Sequence, residues 1–162
     1  MLALTAFAAA AVISAAPIPV AAQDNRAAVL RWYQAFHRND PALLSQILAP
    51  EWMDIPSPPG ATPGPAGARG ALAMLHATFA DFAIVVDDVV QEGDKIVVRA
   101  TMSGVQRAPF AGVPSKGRGI RIQVVDIHEV RDGKIVRTWH TEDWLTGLGQ
   151  MGALQPPKPT AR

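Results

Sequence analysis

Apolar positions along the chain recur first at helical spacing and then, from Phe82 onward, in alternation. In "DNRAAVLRWYQAFHR", residues 24–38, Val29, Trp32, Tyr33 and Phe36 fall at i, i+3, i+4 and i+7, which predicts a helix with one buried face capped by Asp24 or Asn25. "NDPALLSQILAP" follows, with Asp40 as N-cap, Pro41 at the first helical position and Leu43, Leu44, Ile47 and Leu48 as the apolar side. The Pro/Gly-rich stretch 56–69 reads as a long loop without regular structure, of the kind that borders binding sites. "GALAMLHATFADF" returns to helical spacing through Leu72, Leu75, His76 and Phe79. Beyond it, "FAIVVDDVVQEGDKIVVRATMSGV" and "GRGIRIQVVDIHEVRDGKIVRTWHTED" are two β-hairpins turning at "EGD" and "RDGK", with a second loop, "QRAPFAGVPSKG", between them and a further short strand at Glu51–Ile55. Helices first and an antiparallel meander afterwards make an α+β fold, with helices covering one face of a curved sheet.

Composition narrows the classes. The chain has 162 residues, 49% of them hydrophobic, enough for one domain with its own core. A net charge of +1 without a run of Lys or Arg argues against a nucleic-acid partner. Residues 1–22 carry no charged side chain, run apolar to Pro17 and Pro19, and end in a signal-peptidase-like site after Ala22. They read as an export signal, which implies a periplasmic or secreted product; an uncleaved membrane anchor is the rival reading. The domain then spans 23–154, and the Pro-rich 155–162 reads as a disordered tail. With no cysteine, the core alone must stabilise the fold.

Several polar residues are candidates for chemistry. Asp126 and His128 share one face of their strand, where a buried His can tune or relay a neighbour's proton or simply make a structural hydrogen bond. His76, on the apolar side of its helix, reads first as a satisfied core histidine. His140 alternates away from Asp143 and is expected on the outer face, and His37 is helix-end polarity. Asp143 is either a solvated charge near a strand end or, sharing parity with Trp139, a pocket group. Trp32, Trp52, Phe79 and Phe110 read as core or pocket wall. The four histidines lack metal-ligand spacing such as H-x-x-x-H, so no metal is expected.

From "RWYQAF" through "PGPAGARGAL", "FADF", "DDVVQEGDKIVVRATMSG" and "FAGVPSKGR" to "HEVRDGKIVRTWHTEDWLTGLGQMG", the chain resembles the SnoaL-like polyketide cyclases and ester cyclases of the nuclear transport factor two-like superfamily. The last stretch carries the most specific match: Asp132 to Ile135, Trp139, Asp143, and the tail Gln150, Met151, Gly152. The resemblance implies a cone-shaped α+β barrel with a deep pocket for a small apolar or aromatic molecule, no cofactor, and a homodimer through the outer face of the sheet. It places Asp143 at the family's acid/base carboxylate; beside that carboxylate His128 is the candidate helper, and Trp139, Gln106, Phe110, His76 and Asp126 are the candidates for surrounding the substrate. The implied activity is a cyclase, isomerase or lyase acting on a carbonyl compound. A non-catalytic binding module and a hydrolase activating water are the alternatives. One departure stands out: where members of the family carry Thr-His-x-Gly, this chain has Val105, Gln106, Arg107 and Ala108, and Gln106 cannot titrate.

Overall fold

The computed structural model describes residues 25–57 and 60–154. The expected export signal and the expected tail lie outside the described residues.

α1 (Arg26–Arg38) buries Val29, Trp32, Tyr33, Ala35 and Phe36, the stripe that the spacing predicts. Asn39 in the left-handed region ends it, its N–H returning to the carbonyls of Ala35 and Phe36. α2 (Pro41–Ile47) starts as expected, with the Asp40 carboxylate accepting the Ala42 N–H at 3.0 Å. Leu48 leaves that helix and opens β1 (Leu48–Ile55). The Pro/Gly stretch is shorter as a loop than expected: α3 (Gly64–Thr78) begins inside it, because Pro65 sits in a first turn whose N–H groups need no partner within the helix. Gly67 is required there, since a Cβ would stand 2.0 Å from the Thr62 carbonyl oxygen.

Four long strands follow: β2 (Phe79–Glu92), β3 (Lys95–Gln106), β4 (Gly119–Arg131) and β5 (Lys134–Glu142). The sheet order is β1-β5-β4-β3-β2, with β1 parallel to β5 and every other pair antiparallel. Along β4, Ile120, Ile122, Val124, Asp126 and His128 are buried while their neighbours up to Ile127 are exposed, so the inward face is apolar at one end and polar at the other. Ile96, Val98, Ala100 and Met102 of β3 continue that inner face beneath α1 and α3. Ile96, Val98 and Met102 each contribute about 1.5–3 kcal/mol by leaving water, and Ala100 less.

The chain does not end in a plain strand exit. α4 (Trp144–Met151) packs on β4, and Gly147 allows the approach, as a Cβ there would lie 3.3 Å from Ile122 Cγ2. The Gln150 amide pairs with both backbone groups of Arg121, accepting its N–H at 2.8 Å and donating to its carbonyl at 3.0 Å, as a neighbouring strand would. This is a structural use for the tail that the family resemblance rests on.

Candidate active site

Between the inner face of the sheet and helices α1 and α3 lies a cavity of about 220 Å³. Its walls are mostly apolar, with Trp32, Phe36, Leu75, Phe82 and Met102 deep and Phe110 packed on Trp144 (ring centroids 4.4 Å apart) at one side. Four ionisable groups also face it: Asp54, Asp126, His140 and Glu142. A wider cleft of about 650 Å³ adjoins it between β1 and α3, sharing Trp52, Asp54, Ala71 and Met74; among the described residues Asp54 is the sole titratable group in that lining.

The polar groups are arranged by strand pairing. Val124–Glu142, Asp126–His140 and His128–Thr138 are successive cross-strand partners of β4 and β5, and Asp54 of β1 pairs with Thr138. Asp126 is 4% exposed and His128 fully buried. Tyr33 of α1 donates its hydroxyl to Asp126 Oδ2 at 2.5 Å and lies 3.1 Å from His128 Nε2. His128 Nδ1 is 3.0 Å from Thr138 Oγ1, which accepts the Trp52 indole N–H at 3.1 Å.

Burial governs the charges here. It pushes the Asp126 carboxyl up to about 7, against the lowering effect of the Tyr33 hydrogen bond, with Glu142 and Asp54 raising it and His140 lowering it. Burial takes His128 down to about 3, so this imidazole is neutral and its 3.9 Å approach to Asp126 Oδ2 is not an ion pair at neutral pH. Asp54 is raised as well, by burial first; His140 opposes the shift and Glu142 adds to it. His140 Nδ1 stands 3.5 Å from Asp54 Oδ1, a buried atom that takes no hydrogen bond from the described residues. Glu142 Oε2 accepts the Trp144 indole N–H at 3.0 Å. Among the described residues no group of three or more His, Asp or Glu side chains is placed to hold a metal ion.

Asp143 is not in this cavity. The strand ends at Glu142, and Asp143 turns out of extended geometry (φ −77°, ψ 61°) to cap α4, its exposed carboxylate accepting the Thr146 N–H at 3.0 Å. Hydrogen bonding to Thr146 holds that carboxyl below its ordinary range, the opposite of a group poised to carry a proton at neutral pH. Asp143→Ala is accordingly expected to speed amide exchange at Thr146, at the start of α4, while leaving the cavity unchanged.

Trp139 is likewise outside, its ring under Lys95 (5.8 Å) and Arg137 (5.3 Å) on the outer face, where buried Glu129 gathers Lys95, Arg131 and Arg137. His140, expected outside, faces in. The expectation was counted from Asp143, which lies past the strand end; nearer the start of β5 the ladders on both sides also shift register, between Leu48 and Met53 and between Glu129 and Val130. Parity counted from buried Ile135 therefore fails at Thr138, His140 and Glu142.

Gln106 does not line the cavity. It pins the 107–118 loop, its Nε2 donating to the Val113 carbonyl at 3.0 Å, its backbone N–H to the Arg118 carbonyl at 2.9 Å. Arg107, next to it, donates to the carbonyls of His76 and Ala77 at the end of α3. His76 is half-buried and structurally engaged: Nε2 donates to the Phe36 carbonyl at 2.7 Å and the ring meets Phe82 at 4.9 Å. Phe110 and Asp126 line the cavity, and His128 stands directly behind it. Tyr33, Asp54, Thr138, His140 and Glu142 were not foreseen as site residues.

Known proteins of this shape are numerous. TsrD from Streptomyces laurentii is 34% identical over 80% of this chain and 95% of its own, with a TM-score of 0.75. IdmH from Streptomyces antibioticus, a candidate polyketide cyclase, is 30% identical over 80% of this chain and 99% of its own, with a TM-score of 0.70. A Catenulispora acidiphila protein with a ketosteroid isomerase-like fold, solved with trimethylamine, shares the fold at 18% identity and a TM-score of 0.64, covering 80% of this chain and 97% of its own. No curated protein sequence matches significantly. The family model for SnoaL-like polyketide cyclase matches residues 27–151, which takes in the helices and strands of the described residues from Ala27 onward. The chain therefore belongs to the SnoaL-like polyketide cyclase family.

Proposed function

We propose that this protein is a cofactor-independent cyclase or isomerase that moves a proton beside a carbonyl of a small, apolar, ring-bearing molecule, with Asp126 as the acid/base group. The observation that carries this reading is one carboxyl, raised to about 7 by burial, at the wall of an apolar cavity. Near neutral pH such a group is present in both forms, so it can accept a proton in one step and return it in the next.

In a ring closure, ionised Asp126 takes the proton from the carbon next to one carbonyl. The resulting enolate carbon attacks a second carbonyl carbon of the same molecule, a C–C bond forms, and the displaced π pair becomes an alkoxide. That oxygen takes the same proton back from Asp126, which is left ionised for the next turnover. One proton has moved from carbon to oxygen and no electron has entered or left. Isomerisation uses the same first step and returns the proton to a different carbon. The cavity walls hold the two ends of the substrate together, which removes much of the entropic barrier.

The test uses 2-tetralone, a bicyclic aromatic ketone with a mildly acidic C–H, in deuterated buffer. The protein is expected to accelerate deuterium uptake at the benzylic carbon beside the carbonyl, and Asp126→Asn to return it to the buffer rate. Binding without acceleration would support a non-catalytic ligand-binding role instead.

Two further expectations belong to this proposal. The outer face of the sheet exposes Val85, Val90, Val105, Val125 and Ile127, an apolar strip suited to a second copy of the chain, so light scattering should give a dimer mass. Export through residues 1–22 would leave a mature protein beginning at Gln23, readable from its intact mass.

A further inference from the structure

The hydrogen bonds behind Asp126 run in one direction, and both ends set that direction. At one end the Trp52 indole can only donate, so Thr138 Oγ1 accepts from it and has its own hydrogen left for His128 Nδ1. At the other end an ionised Asp126 can only accept, so the single Tyr33 hydrogen is committed to Oδ2. His128 lies between, neutral because it is fully buried, and must therefore accept at Nδ1 and donate from Nε2 to the Tyr33 oxygen. Each hydroxyl in the series then donates once and accepts once, and each His128 ring nitrogen makes one hydrogen bond. The second Asp126 oxygen takes no hydrogen bond from the described residues, and the side chain lines the cavity.

We propose that Trp52, Thr138, His128 and Tyr33 form a one-way hydrogen-bond chain that commits Asp126 Oδ2 as a permanent acceptor and leaves Oδ1 as the oxygen that gains and loses the proton. Putting the proton on Oδ2 instead would reverse Tyr33, which would require the other tautomer of His128 and leave the Thr138 hydroxyl accepting twice. The chain thus selects one oxygen, and one side of the bound molecule, for proton transfer. The four residues act through Asp126 and are positioning residues in this role. The proposal rests on the reading of Asp126 as the acid/base group. The titratable groups facing Asp126 are Tyr33 from α1, Asp54 from β1, His128 from its own strand, and His140 and Glu142 from β5.

The experiment uses full-length protein labelled with nitrogen-15 in histidine and carbon-13 in the aspartate carboxyls. His128 is expected as the neutral tautomer protonated at Nε2 across neutral pH. In Tyr33→Phe, which keeps the ring and loses the donor, the Asp126 carboxyl midpoint should rise by about one pH unit, and the limb of the 2-tetralone exchange profile that follows it should rise equally. In Thr138→Val, His128 should become a mixture of tautomers with a smaller rise at Asp126. A wild-type His128 protonated at Nδ1, or an unmoved Asp126 midpoint in Tyr33→Phe, overturns the chain. Should Tyr33→Phe fail to fold, the tautomer shift in Thr138→Val decides. The spectra need no turnover: spectra as expected without any 2-tetralone exchange would defeat the catalytic reading and leave the chain standing, whereas Asp126-dependent exchange with the wrong tautomer would defeat the chain alone.

Discussion

Asp126→Asn is expected to lower turnover by about 100- to 10,000-fold, the usual worth of a positioned acid/base group, while making the folded protein more stable at and above neutral pH. The two effects share one cause. Asp126 titrates near 7 in the fold against an ordinary value of 3.8, so the folded state favours the protonated carboxyl. Wild-type stability is therefore full below the ordinary value, declines as pH rises through about 7, and levels off beyond. Asparagine has nearly the same shape, can still accept the Tyr33 hydrogen bond, and never ionises. The variant's advantage should open between the two midpoints and reach on the order of a few kcal/mol. Urea unfolding at acidic and mildly alkaline pH, beside 2-tetralone exchange, measures both. A variant that loses turnover and stability together would instead mark Asp126 as a structural residue.

The largest loss of stability is expected at Phe79. It is 1% exposed, opens β2 where α3 ends, and packs its ring 5.5 Å from Phe110 and 6.1 Å from Trp144. Gly104 lets the neighbouring strand pass, as a Cβ there would stand 2.9 Å from that of Phe79. Phe79→Ala removes the ring from a site closed on all sides, which costs about 3–5 kcal/mol and lowers Tm by roughly 10 °C. Because Phe110 and Trp144 also wall the cavity, affinity for 2-tetralone should weaken in the same variant. Thermal unfolding unchanged within a degree or two would contradict this assignment of the core.

The fold was legible because its signals are local. Helical spacing placed the buried face of α1, Asp40–Pro41 placed the start of α2, and alternation with "EGD" and "RDGK" turns placed both hairpins. α3 was partly hidden because Pro and Gly suit a first helical turn as well as a loop. α4 was hidden because its Asp143 cap stood in a stretch read as strand, although an Asp before an apolar run is itself a helix-start signal. The site was less legible, for reasons of register. Two ladder shifts beside β5 exchange inside for outside, which put Trp139 on the surface and His140 and Glu142 inside, while Asp143 lies past the strand end as the cap of α4. Tyr33 fitted the apolar stripe of α1, and nothing in the spacing of that helix tells that its hydroxyl meets a carboxylate 93 residues away. Asp126 and His128, on an uninterrupted strand, kept the shared face that alternation assigned to them.

The most direct test of the site is a carbon-13 titration of the aspartate carboxyls in the wild-type protein. Asp126 is expected to titrate near 7 and Asp143 below the ordinary aspartate range. An Asp126 that titrates as an ordinary aspartate, with Asp143 raised in its place, would contradict the account.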